Sequence, residues 1–211
     1  MAIAHHLTDE ILAAHAAGTL PEAFALVASS HISLCDACRA RLEALEGVGG
    51  ALLEEAGVES LDEGALEAVF ARIEGAAPIP VRRAAGPLPA PVADYVGDLD
   101  GVRWRGLGNG VRQAILAGGR GRPTARLLHI PAGRAMPVHG HRGIEMTLVL
   151  QGAFSDEDGR YARGDVEIAD AEVDHTPVAE AGEDCICLAA TDAPLKLNGV
   201  VARLAQPFLR I

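Results

Sequence analysis

The sequence predicts a multidomain chain of two unlike classes, α then all-β: a small four-helix domain followed by an antiparallel β-barrel or sandwich. Three observations predict it. Apolar residues recur at helical spacing up to about residue 75. Residues 76–92 then carry five prolines and no periodicity, the composition of a semi-extended linker. From Tyr95 onward, short apolar segments alternate with Gly and Pro, the texture of antiparallel strands joined by tight turns. The expected division is therefore 1–75, a linker at 76–92, and 93–211. The linker either lets the two parts change orientation or serves only as a spacer.

Thr8 is placed to cap a first helix from residue 9, with Asp9 and Glu10 in its opening turn and Gly18 as its stop. Pro21 suits the first turn of a second helix that runs to about residue 31. A third fits 36–55, where Leu42, Leu45, Val48 and Leu52 recur at helical spacing; Gly47, Gly49 and Gly50 predict a bend in it. A fourth runs over about 62–74, with Leu66, Val69, Phe70 and Ile73 on one stripe. Four short helices enclose a thin core, so such a domain needs a further tie.

His31, Cys35 and Cys38 offer that tie. Their spacings of four and three bring the side chains together on a helix face or around a turn. Structural zinc takes four N or S ligands in a tetrahedron. The fourth falls to His5 or His6, which chemistry alone does not separate. A redox dithiol would want a βαβ context that is absent here. No secretion signal and no apolar run long enough to span a bilayer is legible, which places the chain in the cytoplasm. There, close cysteines read as metal ligands or free thiols rather than disulfides.

The net charge of −11 excludes direct nucleic-acid binding, which needs a basic footprint. The acidity is concentrated at the front. Residues 1–85 hold 13 acidic and 5 basic residues, the remainder 16 and 13. Such a surface either favours a basic partner, for example a protein that itself binds DNA, or serves only solubility.

In the second part, 102–105, 111–116, 125–130, 145–150, 165–168 and 184–188 read as strands. The chemistry lies between Gly133 and Gly152. Gly133 is followed after five residues by His139 and His141, after three more by Glu145, and after six by Gly152. His139 and His141 share a face if extended, and Glu145 can join them. A fourth ligand must come from a neighbouring strand, and His175 is the only later histidine. Three imidazoles and a carboxylate hold Zn, Fe, Mn, Cu or Ni without choosing among them. Cys185 and Cys187 share a strand face and read as small buried hydrophobes, with an oxidisable pair as the alternative. The tail 197–211 adds a strand or covers the barrel.

Two resemblances follow from these residues. His6, His31, Cys35 and Cys38, set in four short acidic helices, resemble the zinc-binding anti-sigma domain of bacterial anti-sigma factors. That resemblance favours His6 over His5 and implies a helical cradle that grips an extracytoplasmic-function sigma factor as a 1:1 heterodimer. The Gly, His and Glu spacing at 133–152 resembles the first cupin motif. Gly164, Asp165 and His175 resemble parts of the second. This implies a cupin β-barrel with a second divalent metal, zinc or another transition metal, on His139, His141, Glu145 and His175. Together the parts resemble the ChrR-type anti-sigma factors across nearly the whole chain. The resemblance implies a non-enzymatic transcriptional regulator whose cupin domain responds to singlet oxygen or related oxidative stress. The alternative is a cupin metalloenzyme, dioxygenase-like, with a helical zinc-bound appendage. It would need an open coordination position and a substrate pocket, and it leaves the clasp without a purpose.

Overall fold

In the computed structural model, residues 2–77, 88–119, 121–136, 139–140, 142–170, 174–194 and 196–197 are described. Thr8 caps α1 (Asp9–Ala16) by accepting the Ile11 N–H at 3.4 Å. α2 (Glu22–Leu34) begins just after Pro21 and runs one turn beyond its expected end. α3 (Asp36–Glu54) is one uninterrupted helix. Its three glycines each cost roughly 1 kcal/mol relative to Ala, which the surrounding Leu, Ala and Glu residues absorb without a break. α4 (Ala65–Glu74) follows Gly64, which sits at φ +82.

A fifth helix, α5 (Ala90–Val96), stands where the last part of the proline-rich stretch was expected to be linker. Pro89 precedes it and Pro91 falls in its first turn, where a missing N–H costs nothing. Residues 78–87 of that stretch, and 198–211 of the expected tail, lie outside the described residues. No helix among the described residues is long and apolar enough to cross a membrane.

The strands are β1 (Arg105–Gly108), β2 (Val111–Gly119), β3 (Arg122–Ile130), β4 (His139–Gly140), β5 (Glu145–Gln151), β6 (Ala153–Ser155), β7 (Arg160–Ala162), β8 (Val166–Ala169), β9 (Asp174–His175), β10 (Val178–Ala179), β11 (Cys185–Thr191) and β12 (Lys196–Leu197). All pair antiparallel. They form one sheet ordered β1-β2-β3-β11-β5-β8 and two smaller ones, β10-β6-β7 and β12-β4-β9. β1 starts at Arg105, later than the sequence suggested. It turns into β2 through Asn109 and Gly110, both at positive φ, as a two-residue hairpin turn requires.

The middle of the large sheet, β5 and β11 above all, is buried on both faces. One face turns inward, where Ile130, Val149, Cys185 and Cys187 meet Phe154, Tyr161 and Ala179 of the facing small sheet. The other carries Ala125, Leu127, Leu148, Leu188 and Ala190. It packs against Phe24, Leu26, Val27 and Ala28 of α2 and Val92 and Ala93 of α5. One apolar core therefore runs from the helices into the barrel wall. Each fully buried Leu, Val or Phe contributes about 1.5–3 kcal/mol to it.

Candidate metal centres

The first centre is built where three segments meet. The last turn of α2 presents His31. Cys35 breaks the helix with an extended backbone and caps α3, and Cys38 sits in the first turn of α3. The arm before α1 brings in His6. One ligand atom from each of these four residues lies within 4.8 Å of the others. His31 Nε2 is 3.2 Å from Cys38 Sγ, and His6 Nδ1 is 3.3 Å from Cys35 Sγ and 3.7 Å from Cys38 Sγ. A tetrahedral ion with bonds of about 2.0–2.3 Å separates its ligands by roughly 3.3–3.8 Å, so the donor set fits such an ion. His5 lies elsewhere, its ring 4.4 Å from that of Tyr161.

The electrostatics suit ligation. Burial lowers the pKa of His31 below the ordinary imidazole value, so the ring is neutral and able to bind metal. Burial raises that of the Cys38 thiol. The Arg41 guanidinium, held by Asp9 and by the Leu7 carbonyl, stands 4.0 Å from the Cys38 sulfur and offsets part of that rise. The Cys38 N–H also donates to Cys35 Sγ at 3.5 Å. A cleft of about 330 Å³ borders the clasp, lined in part by His6, Cys35, Arg163 and Gly164.

The second centre is in the barrel. His139 in β4 lies directly opposite His175 in β9 in the strand register. His141 lies outside the described residues. Glu145 opens β5, is buried, and accepts a hydrogen bond from the Thr147 hydroxyl at 3.2 Å. His175 is buried, and its Nδ1–H is shared by Glu167 Oε1 at 2.9 Å and Asp156 Oδ2 at 3.0 Å. The cluster found among the described residues is thus Asp156, Glu167 and His175.

Two of those three were not anticipated. Glu167 had a signal, since it interrupts the otherwise apolar Val166, Ile168 and Ala169 in a strand buried on both faces. Asp156 sits in a loop with other acidic residues, where nothing in its neighbours marks it. Burial raises the pKa of Glu167 to about 7. Burial by itself lowers that of His175, but Glu167, Asp156 and Glu145 outweigh it and raise the value to about 9. Asp156 stays below the ordinary carboxylate value. Its bonds to Glu167, His175 and the turn N–H groups of Asp158 and Gly159 outweigh its burial. Cys185 and Cys187 are buried with their sulfurs 3.5 Å apart. The bond to Cys185, then burial, pushes the Cys187 thiol well up, which keeps it protonated.

Residues 92–194 match the ChrR Cupin-like domain. The chain is 60% identical over 214 residues to the anti-sigma-E factor ChrR of Cereibacter sphaeroides, with 100% of both chains covered. A crystal structure of Rhodobacter sphaeroides SigE in complex with the anti-sigma ChrR matches with a TM-score of 0.81 at 59% identity. The match covers 90% of this chain and 99% of that one.

Proposed function

The chain belongs to the ChrR anti-sigma factors, and from that premise we propose how its two metal centres serve the inhibition of a sigma factor. It is a regulatory protein rather than an enzyme, an anti-sigma factor that binds an extracytoplasmic-function sigma factor. The observation that carries this reading to particular residues is an apolar stripe left in solvent. Leu66, Val69, Phe70 and Ile73 recur on one side of α4 and are 50–62% exposed, and Val48, Leu52 and Leu53 of α3 are exposed as well. A contiguous apolar face of this kind marks a docking surface for another protein. The acidic balance of the front part suits the basic surface of a DNA-binding partner.

The inhibitory domain is residues 1–75, joined through 76–92 to the cupin domain at 93–211. Zinc on His6, His31, Cys35 and Cys38 holds the helices in register, a closed structural site with no open position. A second divalent metal, zinc or another transition metal, sits in the cupin domain on His139, His141, Glu145 and His175. Asp156 and Glu167 take the Nδ1–H of His175, which leaves Nε2 as its metal-facing nitrogen. The cupin centre senses singlet oxygen or related oxidative stress in the cytoplasm, and its chemistry weakens the grip on a sigma factor held 1:1.

The test is co-elution with the cell's extracytoplasmic-function sigma factors, with metal counting on the purified pair. A 1:1 complex carrying close to two metals per chain is expected. Absence of such a complex defeats the reading. His141→Ala should spare basal inhibition and blunt induction by singlet oxygen in a reporter strain; full induction removes the cupin metal from sensing.

A further inference from the structure

The first metal centre is not completed by the helical part alone. The turn between β7 and β8, in the barrel, reaches it from outside. His31 Nδ1 lies 2.8 Å from the Gly164 carbonyl oxygen, and both residues' contact is buried. A carbonyl only accepts, so Nδ1 carries the proton and Nε2 keeps its lone pair toward Cys38. The next residue holds the arm that presents His6. Asp165 Oδ1 accepts from the N–H groups of Ala4 at 2.7 Å and His5 at 3.0 Å, and Oδ2 accepts from Ala162 N–H at 2.8 Å. The Val166 N–H donates to the His5 carbonyl at 3.3 Å. Gly164 itself is at φ +94 under the Ile3 side chain, and a Cβ there would stand 2.7 Å from Ile3 Cδ1. The turn is thus shaped to receive the arm, and Asp165 is only 4% exposed.

We propose that Gly164 and Asp165 of the barrel are positioning residues of the His6, His31, Cys35 and Cys38 metal site, the carbonyl fixing the tautomer of His31 and the carboxylate fixing the arm that carries His6. The inference rests on the reading of those four residues as metal ligands. Outer partners of this kind orient a ligand before the ion arrives, and their loss typically costs about 10- to 100-fold in metal affinity. The barrel therefore sets how firmly the inhibitory domain keeps its metal.

Cobalt(II) makes the test specific, because its thiolate charge-transfer band reports only a site that contains cysteine ligands. The full-length chain is loaded with cobalt and challenged with a chromogenic chelator, and the decay of that band is timed. Asp165→Ala is expected to lose the ion about 10- to 100-fold faster than the parent. Asp165→Asn, which keeps an acceptor for the arm, should recover much of the difference. Ala4→Pro removes one donor from the arm without touching the barrel and should also speed loss. Decay at the parental rate in both Asp165→Ala and Ala4→Pro overturns the proposal. A parent chain that shows no thiolate band overturns the ligand reading itself, and this inference with it.

Discussion

At the scale of single residues, the His/Cys cluster was largely legible because three of its members are close in sequence. His31, Cys35 and Cys38 lie within one turn and a helix cap, so local spacing was enough to group them. His6 required a fold: the structure brings it to the cluster and sets the His5 ring against Tyr161 instead. The chemistry of the clasp predicts a pH dependence. The Cys38 thiol is raised by burial, so near neutral pH the metal must displace protons from sulfur. The proton released from Cys38 should make affinity rise by at least about 10-fold per pH unit up to the thiol range. The slope is read from zinc competition titrations between pH 6 and 8; a flat profile would mean that Cys38 is not a ligand. In the barrel, Glu167→Gln should lower metal affinity by about 10- to 100-fold through a less well oriented His175 while leaving the thiolate site loaded. Metal content after dialysis against a weak chelator distinguishes the two sites.

At the scale of elements, periodicity did well where one rule dominated. α1 was announced by Thr8 and its acidic first turn, and α4 by a stripe at helical spacing. α5 was hidden because its prolines, read as breakers, occupy the cap and first turn, where they are permitted. The short strands β4, β9 and β12 have two residues each, too few for any alternation to register. The stripe on α4 was visible as a pattern but not as a surface, since a sequence does not say whether an apolar face is covered. In this chain it is uncovered. Phe70→Asp, at a position 55% exposed, should leave folding and metal content intact. It should weaken sigma binding by about 2–4 kcal/mol, or about 30- to 1,000-fold. Parental affinity in a surface-binding assay would place the docking face elsewhere.

At the scale of the whole molecule, the helices and the barrel share a core that the proline-rich stretch gave no reason to expect. One trace of it was available: α2 is apolar on nearly every side, a composition that suits a helix enclosed on all sides rather than one on the rim of a small bundle. Its neighbours are α1, α3 and α5, and also β2, β3, β5 and β11. Cutting the chain after residue 85 would therefore uncover part of the face formed by Phe24, Leu26, Val27 and Ile32. At about 1.5–3 kcal/mol for each side chain returned to water, a few such exposures rival the roughly 5 kcal/mol that stabilises a small domain. A fragment of residues 1–85 keeps α3, α4 and all four clasp residues, so it should still bind the sigma factor. Its apparent affinity, however, should fall by the fraction of molecules that are folded. Zinc binds the folded form and raises that fraction, so saturating zinc should narrow the gap to the full chain, and a chelator should widen it. Calorimetric titrations of fragment and full chain, with and without zinc, test this directly. Equal affinities at every zinc level would show that the bundle and its clasp stand without the barrel behind them.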